Sequence, residues 1–110
     1  MIYLTLYSQA KRELLSSNQL NCPTLHLGEN KPTSFGLIAL FESLEINKTL
    51  KNLYLNDTLI QDEVAKAINR TLIKNNTLEL LNIGNCGLDD ESISLIKYGL
   101  MYNKNLKVKF

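Results

Sequence analysis

The chain has 110 residues, 45% hydrophobic and 21% charged, with 12 Lys or Arg against 11 Asp or Glu for a net charge of +1. That hydrophobic share suits a packed domain and excludes a disordered chain. The balanced charge excludes a global field that draws nucleic acid or anionic membrane, and no apolar run reaches the ~18–20 residues of a membrane span. The opening MIYLTLYSQAKR carries no early positive charge, and its apolar part is too short and broken for a secretory signal, so a soluble cytoplasmic chain is expected.

In chain order, Ile2, Leu4 and Leu6 alternate with Tyr3, Thr5 and Tyr7, the period of a strand with one buried face. Residues 9–20 carry a weaker helical pattern in Ala10, Leu14 and Leu15. Cys22-Pro-Thr-Leu25-His-Leu27 reads as the next strand, with Leu25 and Leu27 a step of 21 beyond Leu4 and Leu6. Lys31-Pro32 then breaks the strand, and residues 33–47 read as helix with Leu37, Leu40 and Leu44 on one face.

From there the pattern repeats. Leu50-Lys-Asn-Leu53-Tyr-Leu55 lies 28 residues after the Cys22 strand and returns 28 later as Leu78-Glu-Leu-Leu81-Asn-Ile83; Leu106 opens a further copy. The helical stripe moves with it, to Ala65, Ile68 and Leu72 in 62–75 and to Ile93, Ile96 and Leu100 in 90–103. Ser34, Asp62 and Asp90 recur at the same step as expected helix caps, and Glu63 and Glu91 follow where the helix dipole favours negative charge. Asp89-Asp90-Glu91 is therefore read as capping rather than as a metal or catalytic cluster. One strand and one helix per period cannot bury both apolar faces alone, so successive units are expected to stack with parallel strands.

Cys22 and Cys86 lie 64 residues apart with no CxxC and no neighbouring histidine, so they read as free thiols rather than zinc ligands. Four Asn-x-Thr sequons start at Asn47, Asn56, Asn69 and Asn75; Asn47 and Asn75 hold one repeat position and read as turn residues rather than glycosylation sites. At the C-terminus the pattern breaks. Counting by 28 puts Lys109 where Leu53 and Leu81 stand, and Val108 and Phe110 outward, so the last strand is either slipped by one residue or a damaged edge. An unprotected edge there predicts a piece of a longer array, or self-association through the open C-terminal end.

The run Leu78-Glu-Leu-Leu81-Asn-Ile83-Gly-Asn-Cys86-Gly-Leu88 resembles the LxxLxLxxNxL pattern of leucine-rich repeat proteins. The 28-residue period with a full helix, and Gly36 near a helix start, is similar to their ribonuclease-inhibitor-like subclass. The resemblance implies an α/β leucine-rich-repeat solenoid, a short horseshoe segment with its parallel sheet on the concave face. It divides a single domain, 1–110, into an irregular unit 1–21, repeats 22–49, 50–77 and 78–105, and a partial strand 106–110. It also implies a buried Cys86 bonding backbone in its turn, with Asn30 and Thr58 as the equivalent residues.

The resemblance makes the concave face the expected binding surface. Alternation places Thr5, His26, Tyr54 and Asn82 in one outward column, Tyr3, Thr24, Asn52 and Leu80 in the next, and Glu29 and Asp57 on the rim. The candidate protein-binding residues are Tyr3, Thr5, His26, Glu29, Asn52, Tyr54, Asp57, Leu80 and Asn82, an aromatic and apolar patch in a polar, mildly acidic rim. No GxGxxG, GxxxxGK[ST] or HExxH occurs and His26 is the sole histidine, so no catalysis, cofactor or metal is expected. A protein partner is expected, and neither nucleic acid nor membrane. By family association the alternative is a regulatory or targeting fragment, such as a Ran-type GTPase activator or a ubiquitin-ligase substrate receptor.

Overall fold

The structure, a computed structural model, describes residues 2–3, 24–28 and 33–110. Strands and helices alternate as β1 (Ile2–Tyr3), β2 (Thr24–His26), α1 (Ser34–Leu44), β3 (Asn52–Tyr54), α2 (Asp62–Lys74), β4 (Leu80–Asn82), α3 (Asp90–Leu100) and β5 (Lys107–Lys109). The strands form one parallel sheet in chain order, and α1, α2 and α3 pack side by side, giving a small α/β fold. The expected segment 9–20, Cys22 and Asn30 lie outside the described residues.

The sheet has two unlike faces because side chains alternate across a strand. Leu25, Leu53 and Leu81 are fully buried at the strand centres, while their neighbours on either side are half-buried. Against them pack Leu37, Leu40, Phe41 and Leu44 of α1, Ala65, Ile68 and Leu72 of α2, and Ile96 of α3. Each fully buried leucine contributes about 1.5–3 kcal/mol by leaving water. Ile93 and Leu100, the remaining stripe residues of α3, are only half-buried, because no described element packs beyond that helix.

Buried asparagines tie one unit to the next. Asn47, Asn75 and Asn103 are 1%, 2% and 7% exposed and stand 28 residues apart. The Asn75 amide donates to the carbonyls of Leu44 at 2.6 Å and Asn47 at 3.2 Å; that of Asn103 donates to Leu72 and Asn75 at 3.3 and 2.6 Å. The Asn75 side-chain oxygen accepts from the backbone amides of Thr77 and Leu78, and that of Asn47 from those of Thr49 and Leu50, which turns the chain into its next strand. Carbonyls at a helix end have no partner within the helix, and the next unit supplies one. The helices end at Leu44, Lys74 and Leu100, short of the expected 47, 75 and 103.

The helix starts correct the expected caps by one residue. Thr33 accepts from the Gly36 amide at 3.1 Å and Asp89 from the Ser92 amide at 2.8 Å, while Gln61 stands at the third start with no side-chain cap bond. Ser34, Asp62 and Asp90 are first helical residues instead. Two of them link units: the Ser34 hydroxyl donates to the Gln61 side chain, and the Asp62 carboxylate accepts from the Ser92 hydroxyl.

Two strand registers also differ from counting by repeats. Leu80, Leu81 and Asn82 pair with Lys107, Val108 and Lys109, a step of 27. The last strand is thus slipped, not damaged. Val108 turns inward and is half-buried, and Lys107 and Lys109 take the outward places expected for Val108 and Phe110. Leu106 keeps its 28-residue place in the core, so the missing residue falls between it and the strand. At the other edge Tyr3 pairs with His26 rather than Thr24. A two-residue shift leaves every side chain on its own face, so the alternation of Ile2, Leu4 and Leu6 could not choose between the registers.

Candidate functional site

The face of the sheet turned away from the helices carries two rows of side chains set by strand register. One row is His26, Tyr54, Asn82 and Lys109; the other is Thr24, Asn52, Leu80 and Lys107. The rings of His26 and Tyr54 stack at 4.3 Å with 6° between their planes. The Asn52 amide donates to the Thr24 hydroxyl at 3.1 Å, and the Asn82 oxygen accepts from the Gly84 amide at 2.9 Å. Leu80 stands half-exposed between Asn52 and Lys107. His26, Asn52, Tyr54, Leu80 and Asn82 are thus brought onto one surface. For Tyr3 the backbone position beside His26 is described; Thr5 and Glu29 lie outside the described residues.

Asp57 sits on the rim rather than on the face. It has φ 62° and Asn85, one repeat on, has φ 56°, the left-handed conformation that Asp and Asn tolerate best after glycine. The Asn85 amide donates to its carboxylate at 2.7 Å and that of Asn56 at 3.0 Å, and these bonds, Asn85 first, hold the carboxyl below its usual range. The opposite rim carries an exposed Lys51–Glu79 pair at 3.8 Å.

Lys107 and Lys109 are the residues of this face that counting by 28 missed. The signal was present in Lys107-Val108-Lys109, whose own period-two alternation points Val108 inward. Neither lysine makes an ion pair among the described residues.

Beyond β4 the core end is open. Ile83, Cys86, Leu88, Ile93 and Phe110 line a shallow cavity there, with the Lys97 ammonium 5.8 Å from the Phe110 ring centre. Cys86 is a free, buried thiol that donates to the carbonyls of Leu55 and Gly84 at 3.3 and 3.4 Å, the backbone role expected of it. Burial pushes its pKa up, so it is a poor nucleophile. Thr58, at the same repeat position, has a buried hydroxyl without a partner among the described residues. No group of three or more His, Cys, Asp or Glu that could hold a metal occurs among the described residues, and no helix there is long and apolar enough to cross a membrane.

No protein-family model matches the chain, and no curated protein matches it by sequence. The chain is similar in structure to one described as leiomodin-1 actin-binding site 2, with a TM-score of 0.87 and 23% identity. The match covers 96% of this chain and 61% of that one, so the chain spans about three-fifths of its structural neighbour's length. These findings correct the assignment to the ribonuclease-inhibitor-like subclass of leucine-rich repeat proteins. No family model carries that assignment, and the likeness is to a leiomodin fragment, a likeness of fold.

Proposed function

We propose that the chain is a short solenoid segment whose open sheet face binds a protein partner in the cytoplasm, with no catalysis and no cofactor. The observation that carries this reading is the His26–Tyr54 stack standing on a sheet face among Asn52, Leu80 and Asn82. Aromatic anchors with apolar neighbours in a polar surround are the groups on which protein interfaces concentrate their binding energy. The constant 28-residue step from β2 through β4 supports the solenoid. The name of the structural neighbour makes actin the first partner to try.

The test is fluorescence anisotropy of the labelled chain against monomeric actin, beside a variant with both His26→Ala and Tyr54→Ala. Binding by the parent chain that is lost in a variant with an unchanged circular dichroism spectrum supports the reading. Equal binding by the two sinks the site, and no binding by either sinks actin as the partner. The exposed side chains of Tyr98, Met101, Tyr102 and Phe110 favour a second contact, self-association through the C-terminal end of the sheet. Sedimentation across a concentration series reads it directly, and a monomer throughout removes it.

A further inference from the structure

The near-zero net charge hides a strong asymmetry. From Ser92 to Phe110 there are four lysines, Lys97, Lys104, Lys107 and Lys109, and no Asp or Glu. The first 91 residues hold the other eight basic residues against all eleven acidic ones. The slip of β5 brings two of these four lysines onto the open face, in line with Asn82 and Leu80. Counting by 28 would have turned Lys109 into the core.

We infer that the β4–β5 half of this face receives an acidic segment of the partner, which lies across the strands with its carboxylates at Lys107 and Lys109 and an aromatic or apolar residue at the His26–Tyr54 pair. This rests on the binding role proposed above and specifies the partner's chemistry. Two observations select an acidic protein segment. Both lysines are exposed and carry no ion pair among the described residues, so their charge is available to an incoming carboxylate. Leu80, half-exposed beside the stacked His26 and Tyr54 rings, suits an aliphatic or aromatic side chain better than a phosphate backbone.

The geometry sets the spacing. Strands lie about 4.8 Å apart, so three steps from His26 on β2 to Lys109 on β5 span roughly 14 Å. An extended chain covers that in about four residues. The recognised segment is therefore an acidic pair about four residues from an aromatic.

The probe is a fluorescein-labelled peptide with tryptophan four residues from a Glu-Glu pair, titrated into the 110-residue chain. Control peptides replace the acidic pair by Gln-Gln or the tryptophan by alanine. The expected result is weaker binding by both controls and steep weakening with added salt. The chain with Lys107→Gln and Lys109→Gln should bind the parent peptide on the order of tenfold more weakly, and the double change to Glu more weakly still. Circular dichroism confirms that the variants fold, which the exposure of both lysines predicts.

Four outcomes overturn the inference: no binding of the parent peptide at millimolar concentration, indifference to the lysine changes, tighter binding of a single-stranded oligonucleotide than of the peptide, or lysine variants that self-associate while binding the peptide unchanged. The last would mean that the lysines only protect the sheet edge from pairing. Loss of actin binding in the His26→Ala, Tyr54→Ala variant, together with indifference to Lys107 and Lys109, leaves the proposed function standing and removes only this inference.

Discussion

The segments 50–77 and 78–105 carry the same apolar pattern and differ in what lies beside them. In the first, Ile60 is 3% exposed and Ala65 and Leu72 are fully buried. Their equivalents in the second, Leu88, Ile93 and Leu100, are half-buried, although all three are apolar residues of equal or larger size. The difference comes from the neighbour: α2 is covered on both sides by α1 and α3, and α3 on one side by α2. Stability in such a stack belongs to the joint between units as much as to the unit itself.

The largest effect that tests this is a pair of leucine truncations. Leu72→Ala should cost about 2–5 kcal/mol, the usual range for a fully buried leucine, and the equivalent Leu100→Ala about 1 kcal/mol. Urea denaturation measures both. Equal costs would mean that α3 is as well covered as α2, contrary to the half-burial of Leu100.

The asparagine joints extend the comparison. Asn75→Ala removes two donated bonds and three accepted ones, two of these from backbone amides, and strands buried backbone groups, at a cost on the order of 3 kcal/mol. Asn103→Ala removes the donated pair, from a slightly more exposed site, and should cost about half as much. If Asn103 proves the more costly, the end joint is the stronger one and the ranking by neighbours fails.

The smallest effects concern the helix starts. Asp89→Ala should lose about 1 kcal/mol, and Gln61→Asp, placing a cap where none bonds, should gain about half that after losing the Ser34 contact. Bonding to Asp89, led by the Ser92 amide, holds its carboxyl below the ordinary value of 3.8. A lowered carboxyl stabilises the fold above its unfolded value and loses that contribution as pH falls through the lower folded value. The advantage of the parent chain over Asp89→Ala should therefore be constant at neutral pH and shrink below about pH 3.8. Thermal melts across that range check it; an advantage that persists undiminished in acid rules out the charged cap.

Much of this was legible in advance. Leucine spacing gave the 28-residue step, the inward residues of β2 to β4, and hence His26, Asn52, Tyr54, Leu80 and Asn82 on one face. What escaped has three physical causes, one of them the β1 register, where a two-residue shift leaves the alternation unchanged. Where two adjacent polar residues can each cap, as at Asp89 and Asp90, composition cannot choose and backbone geometry does. Where a strand's own alternation conflicts with the count from the previous repeat, burial wins, and Val108 rather than Lys109 entered the core. The basic end of the face was hidden by that single slip.

The asparagine joints bear on how such a chain changes in length. Each amide spans one joint and asks only for a helix end and a turn of the preceding unit, 28 residues away. A duplicated or deleted block of 28 residues therefore leaves every remaining bond with a matching partner, whereas a block of 27 or 29 mismatches the one joint where it falls and leaves the 28-residue separations on either side unchanged. The one-residue deviation that the molecule does carry falls after Asn103, the last rung, where no described unit has to seat on it.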